Sequence, residues 1–188
     1  MKNRLEHLLK SIAPFERTEL DVILSYFETK LIRKHMMLLL TGDVCREFYY
    51  VHTGCLRTGF LGRNGDEKTR FVMTDCNIGT ALTSFISQRP SIEFIEAVED
   101  TELLTITHSN FYRLNRECQS WNHFYQRILE MAYCYQNRRI EELVTLSAKQ
   151  RYQQVLTDQP LLIQKLSNKM LASYLAVREE TLSRLKSP

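Results

Sequence analysis

Apolar residues along the chain fall into three textures. Up to about residue 30, LEHLLKSI and TELDVILSYF repeat apolar positions at helical spacing, with Pro14 between them and Thr18 placed as an N-cap. From about 31 to 107 the period shortens. HMMLLL, EFYYVHT, CLRTGFL, TRFVMT, IEFIEAV and ELLTIT are short runs rich in β-branched and aromatic residues. Thr41-Gly42-Asp43, Gly54, the hairpin signal Asn64-Gly65 and Gly79 punctuate them. Such runs, with a turn about every ten residues, predict a small sandwich or barrel. Gly42, Gly54, Gly65 and Gly79 are expected to supply positive φ at its corners.

After His108 the pattern is helical again. SNFYRLNREC predicts a short helix, and the stretch from Trp121 to about Leu146 a long one. Phe124, Ile128, Met131, Tyr135 and Leu143 form a near-heptad stripe along it. At 1.5 Å per residue this helix runs about 39 Å, longer than a small β domain needs for support. The stripe predicts pairing with a second copy of the chain, alongside packing on the chain's own sheet. AKQRYQQVLTD predicts a further helix before Pro160, and the remainder is long enough only for a helical module packed on what precedes it.

Within that module, LSNKMLASYLAVREETLSRLK has the spacing of a helix-turn-helix. Counted from Asn168, its buried positions are Leu171, Leu175, Val177, Leu182 and Leu185, and Ala172 is the small residue where the helices cross. Ser167 is placed to cap the first helix. Glu179 and Glu180 fall in the first turn of the second, where the helix dipole favours carboxylates. Ala176 holds a turn position that glycine usually fills, at a cost on the order of 1 kcal/mol, and Arg178 is a poor cap. The second helix then exposes Glu180, Ser183, Arg184 and Lys186. Arg184 suits guanine O6 and N7, and Glu180 suits cytosine N4 or a hold on Arg184. Lys169, Arg178, Thr181 and Ser183 suit phosphate contacts.

Charge agrees with that assignment. The chain is +3 overall, but from Ser147 onward seven basic residues face three acidic ones, a net of +4 on a near-neutral body. Hydrophobic residues at 44% and charged residues at 25% describe an ordinary globular chain of one large domain or two smaller ones. No apolar run of membrane-spanning length and no signal-peptide core occur, which predicts a cytoplasmic location and no membrane partner. Cys45, Cys55, Cys76, Cys118 and Cys134 are scattered, and His7, His35, His52, His108 and His123 are isolated, so no metal site is expected. No nucleophile with a paired base and no phosphate-cradling glycine loop point to an enzyme, and no cofactor is expected.

Over nearly its full length the chain resembles bacterial Crp/Fnr-type transcription regulators. TGDVCREFYYVHTGCLRTGFL, NGDEKTRFVMTDCNIG and IEAVEDTELLTI are similar to the family's β part, and LSNKMLASYLAVREETLSRLK to its ending. The resemblance implies an α+β fold. N-terminal helices precede a double-stranded β-helix, a jelly roll of the cyclic-nucleotide-binding type. A long dimerisation helix and a small C-terminal helix-turn-helix of winged-helix type, lacking a wing, follow. The implied division is a sensor at 1–118, the dimerisation helix at 119–146 and the DNA-binding part at 147–188. Many relatives continue into a β-wing past the recognition helix. Here Ser187-Pro188 follow, so fewer phosphate contacts and a shallower salt dependence are expected.

The implied function is a homodimeric DNA-binding transcriptional regulator. Its partners are double-stranded DNA and a second copy, with RNA polymerase a further candidate. An effector pocket would be bounded by Met73, Gly79, Thr80, Leu82 and Arg89, with Gln136 and Asn137 reaching in from the long helix. Members that bind cyclic AMP carry a Gly-Glu pair here and, further on, an Arg-Ser or Arg-Thr pair that holds the phosphate. In this chain Thr80 follows Gly79, and Arg89, which precedes Pro90, stands too far from Ala97. A phosphate buried without a cation is very costly, so cyclic AMP is not expected to bind and the effector stays open. The first cysteine, Cys45, lies too late for the family's iron–sulfur mode, and nothing favours haem at His35, His52 or Cys76. The alternative is a small-ligand sensor or interaction module that uses the β-roll and binds no DNA.

Overall fold

The computed structural model describes residues 1–187; Pro188, in the terminal part, lies outside them. Helices α1 (Lys2–Ile12) and α2 (Arg17–Ser25) come first, burying Leu5, Leu9, Leu20 and Ile23. Thr18 lies inside α2 and does not cap it. The cap is Glu16, whose backbone N–H donates to the Glu19 carboxylate at 2.9 Å, satisfying a donor the helix start leaves open. Glu19 also accepts from the Ser120 hydroxyl, which ties α2 to the long helix.

Eight strands follow: β1 (Glu28–Ile32), β2 (Met37–Leu39), β3 (Glu47–Thr53), β4 (Leu56–Leu61), β5 (Glu67–Met73), β6 (Asn77–Gly79), β7 (Glu93–Ala97) and β8 (Thr101–Thr107). A short helix, α3 (Leu82–Ser87), joins β6 to β7. The strands make two antiparallel sheets, ordered β1-β8-β3-β6 and β2-β7-β4-β5. Consecutive strands mostly switch sheets, which winds the chain as a jelly roll. Phe48, Tyr50, Leu56, Met73, Ile95 and Leu104 join the N-terminal helices in one buried cluster.

Three of the four corner glycines, Gly42, Gly54 and Gly65, have positive φ. Gly79 does not. It lies in β6 opposite Tyr49, where an added Cβ would come within 2.7 Å of Met73 Sδ. What this site demands is close packing, not left-handed backbone.

Helix α4 (His108–Glu117) leads into α5 (Gln119–Thr145), which is 27 residues long. Trp121, Phe124, Tyr125 and Ile128 of α5 are buried in the main cluster, and Trp121 Nε1 donates to the Phe111 carbonyl at 3.1 Å. The terminal module comprises α6 (Ala148–Asp158), α7 (Pro160–Lys165), α8 (Asn168–Tyr174) and α9 (Glu179–Lys186). Ser147 and Ser167 cap α6 and α8 as their hydroxyls accept backbone N–H groups.

This module docks on the roll. Val155, Leu162, Leu166, Leu171, Leu175 and Leu182 share one buried cluster with Cys55, Val72 and Val98. Strand β5 is an edge of its sheet, and Ser173 of α8 closes part of that edge. The Ser173 hydroxyl accepts the Thr69 N–H at 2.7 Å and donates to the Glu67 carbonyl at 2.9 Å. Lys165 reaches Glu99 and Asp75. Burial works against its charge, but the two carboxylates outweigh it and hold its pKa above the usual lysine value.

Candidate functional site

A cavity of about 530 Å³ opens where roll, long helix and terminal module meet. Its walls are mostly apolar. Phe71 and Ile78 come from the strands, Leu82 from α3, Met131 and Tyr135 from α5, and Leu161 and Leu162 from α7. Phe71 meets Tyr135 edge-on at 5.1 Å, and the Tyr135 hydroxyl lies 3.3 Å from that of Tyr174. Burial keeps the Tyr135 phenol protonated far above neutral pH.

Arg70 is the one cation among the described lining residues. A bulge puts it there. Thr58 pairs with Phe71 and Gly59 with Thr69, which leaves Arg70 unopposed on β4. Its Nη1 donates to Glu93 Oε1 at 2.6 Å. Glu93 is 4% exposed, and burial pushes its carboxyl up against the opposing pull of Arg70. Asp158 also lines the cavity, but its carboxylate accepts from Arg138 at 2.8 Å.

Of the sequence-predicted pocket residues, Gly79, Thr80, Leu82 and Gln136 do line this cavity. Met73 does not: it is fully buried in the core behind Gly79. Arg89 is exposed beyond α3, and its carbonyl accepts from Ser84 at 2.6 Å. Asn137 is exposed on α5, because one residue along a helix turns about 100° away from Gln136. The Thr80 hydroxyl donates to the Glu47 carbonyl at 2.7 Å and is used internally. Sequence reading missed Arg70, whose signal lies in strand pairing and not in its neighbours along the chain.

In the terminal module, Leu171, Ala172, Leu175 and Leu182 are buried, with Val177 and Leu185 partly so. Ala176 takes a left-handed φ of 53° at the turn, and the Val177 N–H closes it on the Ala172 carbonyl at 2.9 Å. Arg178 precedes α9 without a side-chain cap bond. Lys169, Arg178, Glu180, Ser183, Arg184 and Lys186 are exposed, and Thr181 is half-buried. Lys186 Nζ donates to Asn168 Oδ1 at 2.6 Å. Arg151, counted with the basic end, is used internally, donating to the Leu175 and Leu146 carbonyls.

Residues 29–118 match the family model described as a cyclic nucleotide-binding domain. No curated protein matches the chain in sequence. Among solved structures, the catabolite activator protein of Thermus thermophilus is 24% identical, with a TM-score of 0.62 over 95% of this chain and 84% of its own. A chain assigned to the Crp/Fnr family from Eubacterium rectale has a TM-score of 0.72 at 18% identity, over 91% of this chain and 82% of its own. FixK2 of Bradyrhizobium japonicum has a TM-score of 0.69 at 16% identity, over 85% of this chain and 82% of its own. This is the Crp/Fnr fold.

The long helix of this Crp/Fnr-type fold has two working faces. Phe124 and Ile128 point into the chain's own core, and Tyr135 into the cavity, so they are not free for a second copy. Met131 edges the cavity while staying partly exposed, and Leu143 borders a hollow against the terminal module. Met131 (55% exposed) and Leu143 (42%) of the predicted stripe stay exposed, and a further exposed apolar stripe lies at Tyr133 (69%), Ile140 (59%) and Val144 (79%). Steps of seven and four residues keep these three on one face. Among the described residues no helix is long and apolar enough to cross a membrane.

Proposed function

We propose that this chain is a cytoplasmic, homodimeric DNA-binding transcription regulator of the Crp/Fnr type. The observation that carries the reading is α9. Glu180, Ser183, Arg184 and Lys186 stand exposed on it while Leu182 is buried, in a chain with the Crp/Fnr fold. Arg184 is the base reader, with two donors for guanine O6 and N7. Lys169, Arg178 and Thr181 serve phosphate contacts that set register. Two copies joined along the Tyr133, Ile140 and Val144 stripe present two such helices to half-sites separated by about one DNA turn, near 34 Å. RNA polymerase is the further partner of the DNA-bound form.

The cavity is the effector pocket, and cyclic AMP is a poor occupant. Thr80 stands where cyclic-AMP-binding members carry the glutamate that holds the ribose, its hydroxyl is used on the Glu47 carbonyl, and Arg89 lies outside the cavity. These residues do not fit the nucleotide.

The test is a gel mobility shift with DNA from upstream of the chain's own gene. The native chain retards it. Arg184→Ala lowers the affinity by about tenfold or more with thermal unfolding unchanged. A folded Arg184→Ala that binds as well as the native chain defeats the reading. It would favour a sensor whose terminal helices only pack on the roll, a role consistent with the docking of α8 on β5.

A further inference from the structure

We propose that the cavity takes a small monocarboxylic acid with an apolar body, its carboxylate on the Arg70 guanidinium. The inference rests on the reading of this cavity as an effector pocket and names the class of its ligand. Its volume of about 530 Å³ is within the ordinary range for small-molecule sites. Phe71, Ile78, Leu82, Met131, Tyr135 and Leu161 give the body of the ligand an apolar and aromatic surround.

The head-group preference comes from Arg70. Among the described residues its guanidinium has one hydrogen-bond partner, Glu93, on one of its five donors. Among the described residues no other hydrogen bond uses its remaining donors, and Arg70 lines both this cavity and the neighbouring hollow against the terminal module. A carboxylate answers a guanidinium with two parallel charge-assisted bonds, which a neutral hydroxyl cannot reproduce. An amine would meet Arg70 as a like charge. A phosphate dianion would set two negative charges beside Glu93, which is already buried with only Arg70 to balance it. One negative charge is the most this wall accommodates. Burial already raises the Glu93 carboxyl toward protonation, which eases the approach of a second carboxylate.

Such a ligand would touch more than the roll. Leu161 and Leu162 belong to α7, so an occupant is held partly by the terminal module. Binding therefore stabilises the docked arrangement by simple linkage.

The experiment is calorimetric titration of the full chain with octanoate and 4-phenylbutyrate, against 1-octanol, octylamine and cyclic AMP. The acids are expected to bind at least about tenfold more tightly than the alcohol, the amine or the nucleotide. Arg70→Gln alone leaves Glu93 buried without its partner, so Arg70→Gln is combined with Glu93→Gln, which keeps the interior neutral. In that double variant octanoate loses its advantage over octanol. Ala132→Trp, which fills the cavity from α5, abolishes binding of all of them. An alcohol as tight as the acid overturns the proposal. So does an unchanged preference in the double variant, tighter binding of cyclic AMP, or no acid binding to the native chain. The same preparations are taken through the gel shift. DNA binding without acid binding sinks the ligand class alone, and acid binding without DNA binding sinks the regulator reading alone.

Discussion

Ala176 holds a left-handed backbone at φ 53° in the turn between α8 and α9. A methyl group there crowds the neighbouring carbonyl, and glycine removes the crowding. Glycine also has more freedom to lose from the unfolded chain, which returns part of the gain. Ala176→Gly is expected to raise stability by about 0.5–1 kcal/mol, read as a shift in the urea midpoint. An unchanged or lower midpoint would show that the turn is not the strained point. Arg57 and Arg70 make a different lesson at this scale. Arg57 is 3% exposed, with Nε on Glu96 at 2.7 Å and its guanidinium 5.0 Å from the Phe94 ring centre. Charged residues belong by default on the surface, so neither arginine was legible as an interior group. Each became one through a carboxylate contributed by β7, from far along the chain.

Among the elements, α5 shows how a single stripe can mislead. Phe124, Ile128, Met131 and Tyr135 do recur at helical spacing, but that period reports only that a face is covered. The chain's own roll covers most of it. Tyr133, Ile140 and Val144 interrupt the polar side and, with Met131 and Leu143, carry exposed apolar surface. Ile140→Asp combined with Val144→Asp is therefore expected to convert the proposed dimer to a monomer in light scattering after gel filtration. Since both sites are exposed in the single chain, the fold itself should change by no more than about 0.5 kcal/mol per site. A variant that elutes unchanged as a dimer would move the interface away from this stripe.

At the scale of the whole molecule, order and type of element were readable because local signals agreed with one another. AKQRYQQVLTD is α6 residue for residue, and the Asn64-Gly65 signal marks the β4–β5 turn. The α8–turn–α9 pair was legible for the same reason, since its buried positions lie within one short stretch. The cavity was half legible. Gly79, Thr80, Leu82 and Gln136 follow from the sequence resemblance, while the bulge at Arg70 and the α7 wall arise from long-range pairing that no local pattern encodes. Nor did the sequence indicate that α8 lies along β5.

That last arrangement has a consequence for handling the protein in pieces. The Ser173 hydroxyl occupies hydrogen-bonding groups of β5 that would otherwise template another strand, while Val72 and Cys55 lie under the same helices. A fragment severed after Leu146 bares a ready-made seam for self-stacking. Its turbidity at rest should climb with concentration where the intact chain stays clear, and a fragment that stays equally clear would mean the seam heals itself. The terminal module thus doubles as a lid that keeps the roll from sticking to its neighbours.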